Sequence, residues 1–232
     1  MSLAIATRAR IERKGTYMSQ TQLTTPASYY DPELPPSSDG RLKWRVVDIV
    51  VGAVLGIAVG LVFFAWNFVG DAAGDALKLI APPLKGLLGG MWLLGGVLGG
   101  LIIRKPGAAM YVELVAALVP LLFGNPWGLS TLISGLLQGA GAELVFLIFR
   151  YRSWKLPVAM LAGALAGVFE ALYEIPVWYA PWTLTFKGLY VVCLAASGAI
   201  LAGVLAWALQ RGLAATGALD RFESGREVRQ LV

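Results

Sequence analysis

Six long apolar runs, separated by short polar connectors, fill the chain from residue 44 to residue 210. They cover 44–69, 82–103, 107–123, 127–149, 156–175 and 183–210. An α-helix rises about 1.5 Å per residue, so roughly 20 apolar residues cross a bilayer core. Backbone polar groups in lipid must be satisfied within their own segment, which leaves helices as the conformation for such runs. The pattern predicts an all-α integral membrane protein with six transmembrane helices. The third run is the shortest and contains Pro120, which predicts a kink or a break there.

The composition agrees. The chain is 57% hydrophobic and only 14% charged, below the charge of a soluble domain. The net charge of +5 is spread over short flanks between apolar runs and forms no patch suited to nucleic acid. Basic flanks give the orientation instead. With the amino terminus inside, Arg41, Lys43, Arg45, Arg104, Lys105, Arg150, Arg152, Lys155 and Arg211 are cytoplasmic. Only Lys78, Lys85 and Lys187 then lie outside, so both termini are expected in the cytoplasm and the protein in the cell membrane. Residues 1–40 are polar, lack an apolar period and are expected to be a disordered cytoplasmic tail, with Met18 as an alternative start. The membrane domain is expected over 41–211 and a second cytoplasmic tail over 212–232.

Several chemistries are excluded. The chain has no histidine, the commonest general base and a common metal ligand. It has no GxxxxGK[ST] loop, no metal-ligand cluster and no G-x-S-x-G elbow. The single cysteine, Cys193, lies in an apolar run, where a thiol is unreactive. No cofactor and no enzymatic activity are expected.

What remains is a set of acids in lipid-crossing runs. In GLLQGAGAELVFLIFRYR, residues 135–152, Gln138 and Glu143 interrupt an otherwise apolar helix. Glu113 and Glu170 lie inside other spans, and Glu174 at an outer end. A charge at mid-bilayer costs about 2.5–3.5 kcal/mol or more, so each must face a cavity or a partner. No Lys or Arg is expected deep in any span; the nearest candidate is Lys187. Helical rise places Glu113 and Glu143 roughly 9–10 Å above the cytoplasmic ends of their spans, and Gln138, Glu170 and Glu174 roughly 18, 21 and 27 Å up.

The upper layer lies among aromatic residues: Tyr173, Trp178, Tyr179 and Trp182 near one connection, Asn125 and Trp127 at another, Trp66 and Asn67 at the end of the first run. Single interfacial rings commonly form a belt. Rings beside unpaired carboxylates also suit a flat cation, and an amide such as Gln138 suits a ring nitrogen or an amino group. The expected substrate-binding residues are Gln138, Glu170, Glu174, Trp178, Tyr173, Glu143, Trp127, Asn125, Glu113 and Trp66. For Glu143 and Glu113 an interhelical brace is the alternative. Asp48, beside Arg45, is expected to be solvated or paired, and Asp71 and Asp75 to lie in a solvated loop. Gly52, Gly56 and Gly60 fall on one face of the first helix, either for an intramolecular contact or for docking a separate membrane subunit.

GNPWGLSTLISGLLQGAGAELVFLIFRYRSW, YVELVAALVPLLFG and WRVVDIVVGAVLG resemble the YkoE family of S components of energy-coupling factor transporters. The similarity covers roughly residues 44–211, and QGAGAELVF is its most specific part. The resemblance implies a substrate-binding subunit that captures thiamine or its hydroxymethylpyrimidine precursor from outside. It also implies a transmembrane coupling subunit (T component) and two cytoplasmic ATPases as partners. S components often dock through alanines; here the matching positions are Gly52, Gly56 and Gly60. The alternative is a proton-coupled secondary transporter of a small cationic solute, with the membrane glutamates as proton relays.

Overall fold

The computed structural model describes residues 42–229. The expected tail over 1–40, the alternative start at Met18, the flanking Arg41 and residues 230–232 lie outside the described residues. Helix α1 spans Val46–Lys78. A 3₁₀ segment, Pro82–Leu93, runs directly into α2, Leu94–Ile103. Then come α3 (Ala108–Leu122), α4 (Ser130–Ile148) and α5 (Leu156–Trp178). Helix α6 (Leu184–Ser197) continues through a π-helical turn, Gly198–Val204, into α7 (Leu205–Ala215), and α8 covers Glu223–Arg229. Five of these continuous helices are long and apolar enough to cross a membrane; the sixth, α3, is shorter.

Helix α1 does not end near residue 69 as its apolar run suggests. It has 33 residues, about 50 Å of helix, well beyond a bilayer core of about 30 Å. Residues 70–78 contain no proline, and Lys78 pairs with Asp75 at 2.6 Å on one helical face, so the helix runs on to Lys78, shortly before Pro82 and Pro83. The expected solvated loop carrying Asp71 and Asp75 is therefore helix.

The 15-residue α3 is about 22 Å long, and it packs against α1, α2 and α4. It runs unbroken through Pro120 to Leu122, although proline has no N–H to donate to the Ala116 carbonyl one turn back. The glycine face of α1 lies against α3. A Cβ at Gly52 would stand 2.7 Å from the Tyr111 ring, one at Gly56 2.6 Å from Val115, and one at Gly60 2.6 Å from the Ala116 carbonyl. All three glycines are buried. The intramolecular contact that the spacing allowed is therefore present: the three glycines offered for docking a coupling subunit are packed against α3.

The bundle has a basic end and a cavity end. At the basic end, Asp48 is fully buried and receives the Arg45 backbone N–H at 2.7 Å, the Arg45 guanidinium at 2.8 Å and the Lys105 ammonium. Lys105 also donates to the Lys43 carbonyl at 2.5 Å, tying the start of α1 to the turn after α2. The chain beyond residue 211 packs here rather than leaving the bundle: Leu219 and Phe222 join the main core, and the Ser224 hydroxyl donates to the Ile102 carbonyl at 3.0 Å. Arg104 pairs with Glu227 at 2.6 Å. Arg45 donates to the Arg221 carbonyl at 3.5 Å, so both ends of the described chain meet at this end.

Candidate functional site

The opposite end opens into a cavity of about 1000 Å³, its mouth included. Side chains from α1, the 3₁₀ segment, α3, α4, α5 and α6 line it.

Its floor is Glu113 on α3, which is fully buried. One oxygen, Oε2, accepts the Gly96 N–H; the other, Oε1, has no hydrogen-bond partner. The Gly95-Gly96 pair makes the space for this carboxyl, since Cβ atoms there would lie 2.9 and 3.3 Å from Oε2.

One wall is built on α4 and α5. Ser134 and Gln138 are one helical turn apart on α4 and share a face. Gln138 Nε2 donates to Ser134 Oγ at 2.7 Å, and that hydroxyl donates to Glu170 Oε1 at 2.6 Å. Glu170 Oε2 is buried and unpartnered. Glu174 lies one turn further along α5 and accepts the Tyr190 hydroxyl of α6.

Aromatic rings complete the walls. Trp92 and Trp127 meet edge to face at 6.2 Å. Trp92 is oriented by its Nε1, which donates to Asn67 Oδ1 at 2.8 Å. Asn125 folds the connection under Trp127: its Oδ1 accepts the Trp127 N–H at 3.0 Å and the Gly128 N–H at 2.8 Å, an Asx-type turn. Tyr190 also lines the cavity, and behind it Tyr179 stacks on Trp182 at 4.3 Å and meets the Tyr190 ring at 5.2 Å. Burial pushes the Tyr179 phenol above its ordinary range, so it stays neutral at physiological pH.

Eight of the ten expected residues line this cavity: Glu113, Asn125, Trp127, Gln138, Glu170, Tyr173, Glu174 and Trp178. Two do not. Glu143 lies at the basic end. Its Oε1 accepts the Gly107 N–H at 2.7 Å and the Tyr151 hydroxyl at 2.6 Å, and its Oε2 accepts the Ala109 N–H at 2.9 Å. It thus caps the amino terminus of α3 from a neighbouring helix, satisfying N–H groups that have no partner within α3. Burial and the bond to Glu143 push the Tyr151 phenol above its ordinary range, so this donor persists through neutral pH. Trp66 stands behind Trp92, at 6.5 Å, and its Nε1 donates to the Leu88 carbonyl at 3.2 Å.

The cavity also contains groups outside the expected set. Ser134 was legible as the residue four before Gln138 on one helical face. Trp92 and Lys85 reach the cavity through the 3₁₀ segment, whose three-residue period aligns Lys85 with Leu88 and Gly89 with Trp92. Lys85 corrects the expectation that Lys187 is the cation nearest the acids: it lines the same cavity as Glu174. Lys187, the expected nearest cation, instead donates to the Ala180 carbonyl at 2.9 Å.

Chemically, the site offers two unpaired carboxyl oxygens at different depths, a hydroxyl–amide relay and aromatic faces. Groups of this kind are chemically suited to a flat molecule bearing N–H donors and positive charge.

Comparison with known proteins gives three matches. A family model described as "ABC-type cobalt transport system, permease component" matches residues 47–169. YkoE of Bacillus subtilis (strain 168), a protein whose name assigns it to HMP/thiamine permeation, is 36% identical over 190 residues, covering 81% of this chain and 94% of that protein. The crystal structure of an S-component of an ECF transporter superposes with a TM-score of 0.75 at 35% identity, again over 81% of this chain and 94% of that one.

Proposed function

This chain belongs to the YkoE-like S components of energy-coupling factor transporters, multi-pass membrane subunits without enzymatic activity, and from that premise we propose that its cavity captures thiamine or hydroxymethylpyrimidine. The observation that carries the reading is the pair of buried, unpartnered oxygens, Glu113 Oε1 and Glu170 Oε2, inside an aromatic-walled cavity. A buried polar atom without a partner is costly, and a ligand donor removes that cost. Thiamine supplies an aminopyrimidine with N–H donors and a cationic thiazolium. Glu170, Gln138 and Ser134 hold the pyrimidine edge; Trp92, Trp127, Tyr173 and Trp178 face the rings; Glu174 faces the positive charge; Glu113 closes the floor.

Cobalt, named in the matching family model, suits these residues poorly. The chain has no histidine, and no cluster of three metal-ligating side chains occurs among the described residues. Imidazole and thiolate are common donors for such metals, and the carboxyls here are dispersed among rings and hydroxyls.

The cavity end faces outward in this reading. Arg45, Arg104, Lys105, Arg150, Arg152 and Lys155 gather at the other end, as the positive-inside rule requires for a cytoplasmic face. Energy comes from a transmembrane coupling subunit and two ATPases, since the chain carries no phosphate-binding loop.

The test is calorimetric titration of the purified full-length protein with thiamine, hydroxymethylpyrimidine and riboflavin. Thiamine or the pyrimidine binds without any partner, and riboflavin does not. Absence of binding to both the first two, in protein that is folded by circular dichroism, overturns the substrate assignment.

A further inference from the structure

The cavity that is to receive a cation already contains one. Lys85 sits on the 3₁₀ segment with its ammonium hydrogen-bonded to the Tyr179 hydroxyl and 4.6 Å from the centre of that ring. Among the described residues it forms no ion pair within 4 Å, although Glu174 and Asp71 line the same cavity; Lys78, also in the lining, pairs with Asp75. Its seat is aromatic: Tyr179 is backed by Trp182 and Tyr190, and Tyr190 in turn donates to Glu174. The ammonium therefore sits at the hydroxyl edge of Tyr179, in the part of the cavity lined by Tyr190 and Glu174, where a ligand's positive charge would be drawn to the same carboxylate. The lysine backbone is held in place, because a Cβ on the next residue, Gly86, would stand 3.0 Å from the Tyr190 ring. Only the flexible four-carbon stem is free to move the charge.

We propose that Lys85 is a specificity-determining residue: a tethered stand-in cation that occupies the cation seat beside Tyr179 and Glu174, and that a positively charged ligand must displace. The inference rests on the substrate reading above. Two like charges a few ångströms apart repel, so Lys85 lowers the affinity for cationic thiamine and leaves that for the neutral pyrimidine alcohol nearly unchanged. It thereby sets the ratio between the two and favours release of the cation once the site opens.

The experiment titrates wild type, Lys85→Met, Lys85→Gln and Lys85→Arg, each as purified full-length protein at pH 8, with thiamine and with hydroxymethylpyrimidine. In the two uncharged variants the thiamine Kd falls about ten-fold while the pyrimidine Kd stays within about three-fold. Lys85→Arg keeps the wild-type ratio. Lys85→Gln retains a donor for Tyr179, so it carries the test if Lys85→Met does not fold. An unchanged ratio in the uncharged variants overturns the proposal, as does weaker thiamine binding with pyrimidine binding intact. Loss of both ligands in Lys85→Gln with both retained in Lys85→Arg also overturns it, because the charge is then required rather than competing. Wild type that binds neither ligand overturns the substrate reading, and this proposal with it.

Discussion

The two ends of the bundle treat buried carboxylates differently. At the basic end, Glu143 is 8% exposed and both its oxygens are occupied, by two backbone N–H groups and a phenol. At the cavity end, Glu170 is 7% exposed, yet one of its oxygens has no partner. Asp48 and Glu113 repeat the contrast, since both are fully buried but only Glu113 keeps an unpaired oxygen. Burial of an acid in an apolar run therefore does not mark function. An unfinished set of hydrogen bonds does, because only there does a ligand donor find an acceptor already desolvated.

Substitutions separate the two classes. Asp48→Ala leaves the Lys105 and Arg45 charges at the basic end without their acceptor, a loss of about 3–5 kcal/mol for a broken buried pair. Thermal unfolding in detergent reads this as a lower midpoint, while protein that remains folded binds thiamine normally. Glu170→Gln acts the other way: stability holds and thiamine affinity drops about 10–100-fold, the loss of a charge-assisted hydrogen bond of about 1.5–3 kcal/mol. Glu143→Gln costs about 1–3 kcal/mol of stability, since an amide presents N–H to donors that need acceptors, and changes affinity by less than about two-fold. Gly56→Ala places a methyl 2.6 Å from Val115 and costs about 1–3 kcal/mol through overpacking of α1 on α3. Its uptake defect follows the amount of folded protein in the membrane. An uptake defect with folded protein and binding both intact would make that face a docking surface after all.

The same contrast explains what could be read from the sequence. Hydropathy alone located the five helices long and apolar enough to cross a membrane and the shorter α3, because burial in lipid imposes one polarity. It missed the extra turns of α1, because residues 70–78, with two Asp and two Gly among them, fall out of the apolar pattern while the helix continues. Depth along a helix grouped Gln138, Glu170 and Glu174 correctly, since rise per residue is fixed. Depth counted from the ends of the runs put Glu143 and Glu113 at similar heights, and the structure separates them: Glu143 reaches the amino terminus of α3, and Glu113 lies four to six residues further along that helix, facing the Gly95-Gly96 gap. Lys85 and Trp92 were hidden by the 3₁₀ segment, whose period of three places residues on faces that an α-helical reading assigns elsewhere. For Gly52, Gly56 and Gly60 the spacing announced a close neighbour without saying whether it came from the same chain.

The most direct measurement is a side-by-side calorimetric titration of thiamine into wild type, Glu170→Gln and Glu143→Gln. Wild type and Glu143→Gln should bind within about two-fold of each other, with Glu170→Gln weaker by about 10–100-fold. Equal losses in both variants, or full affinity in Glu170→Gln, would mean that unpaired oxygens at the cavity end are not what receives the ligand.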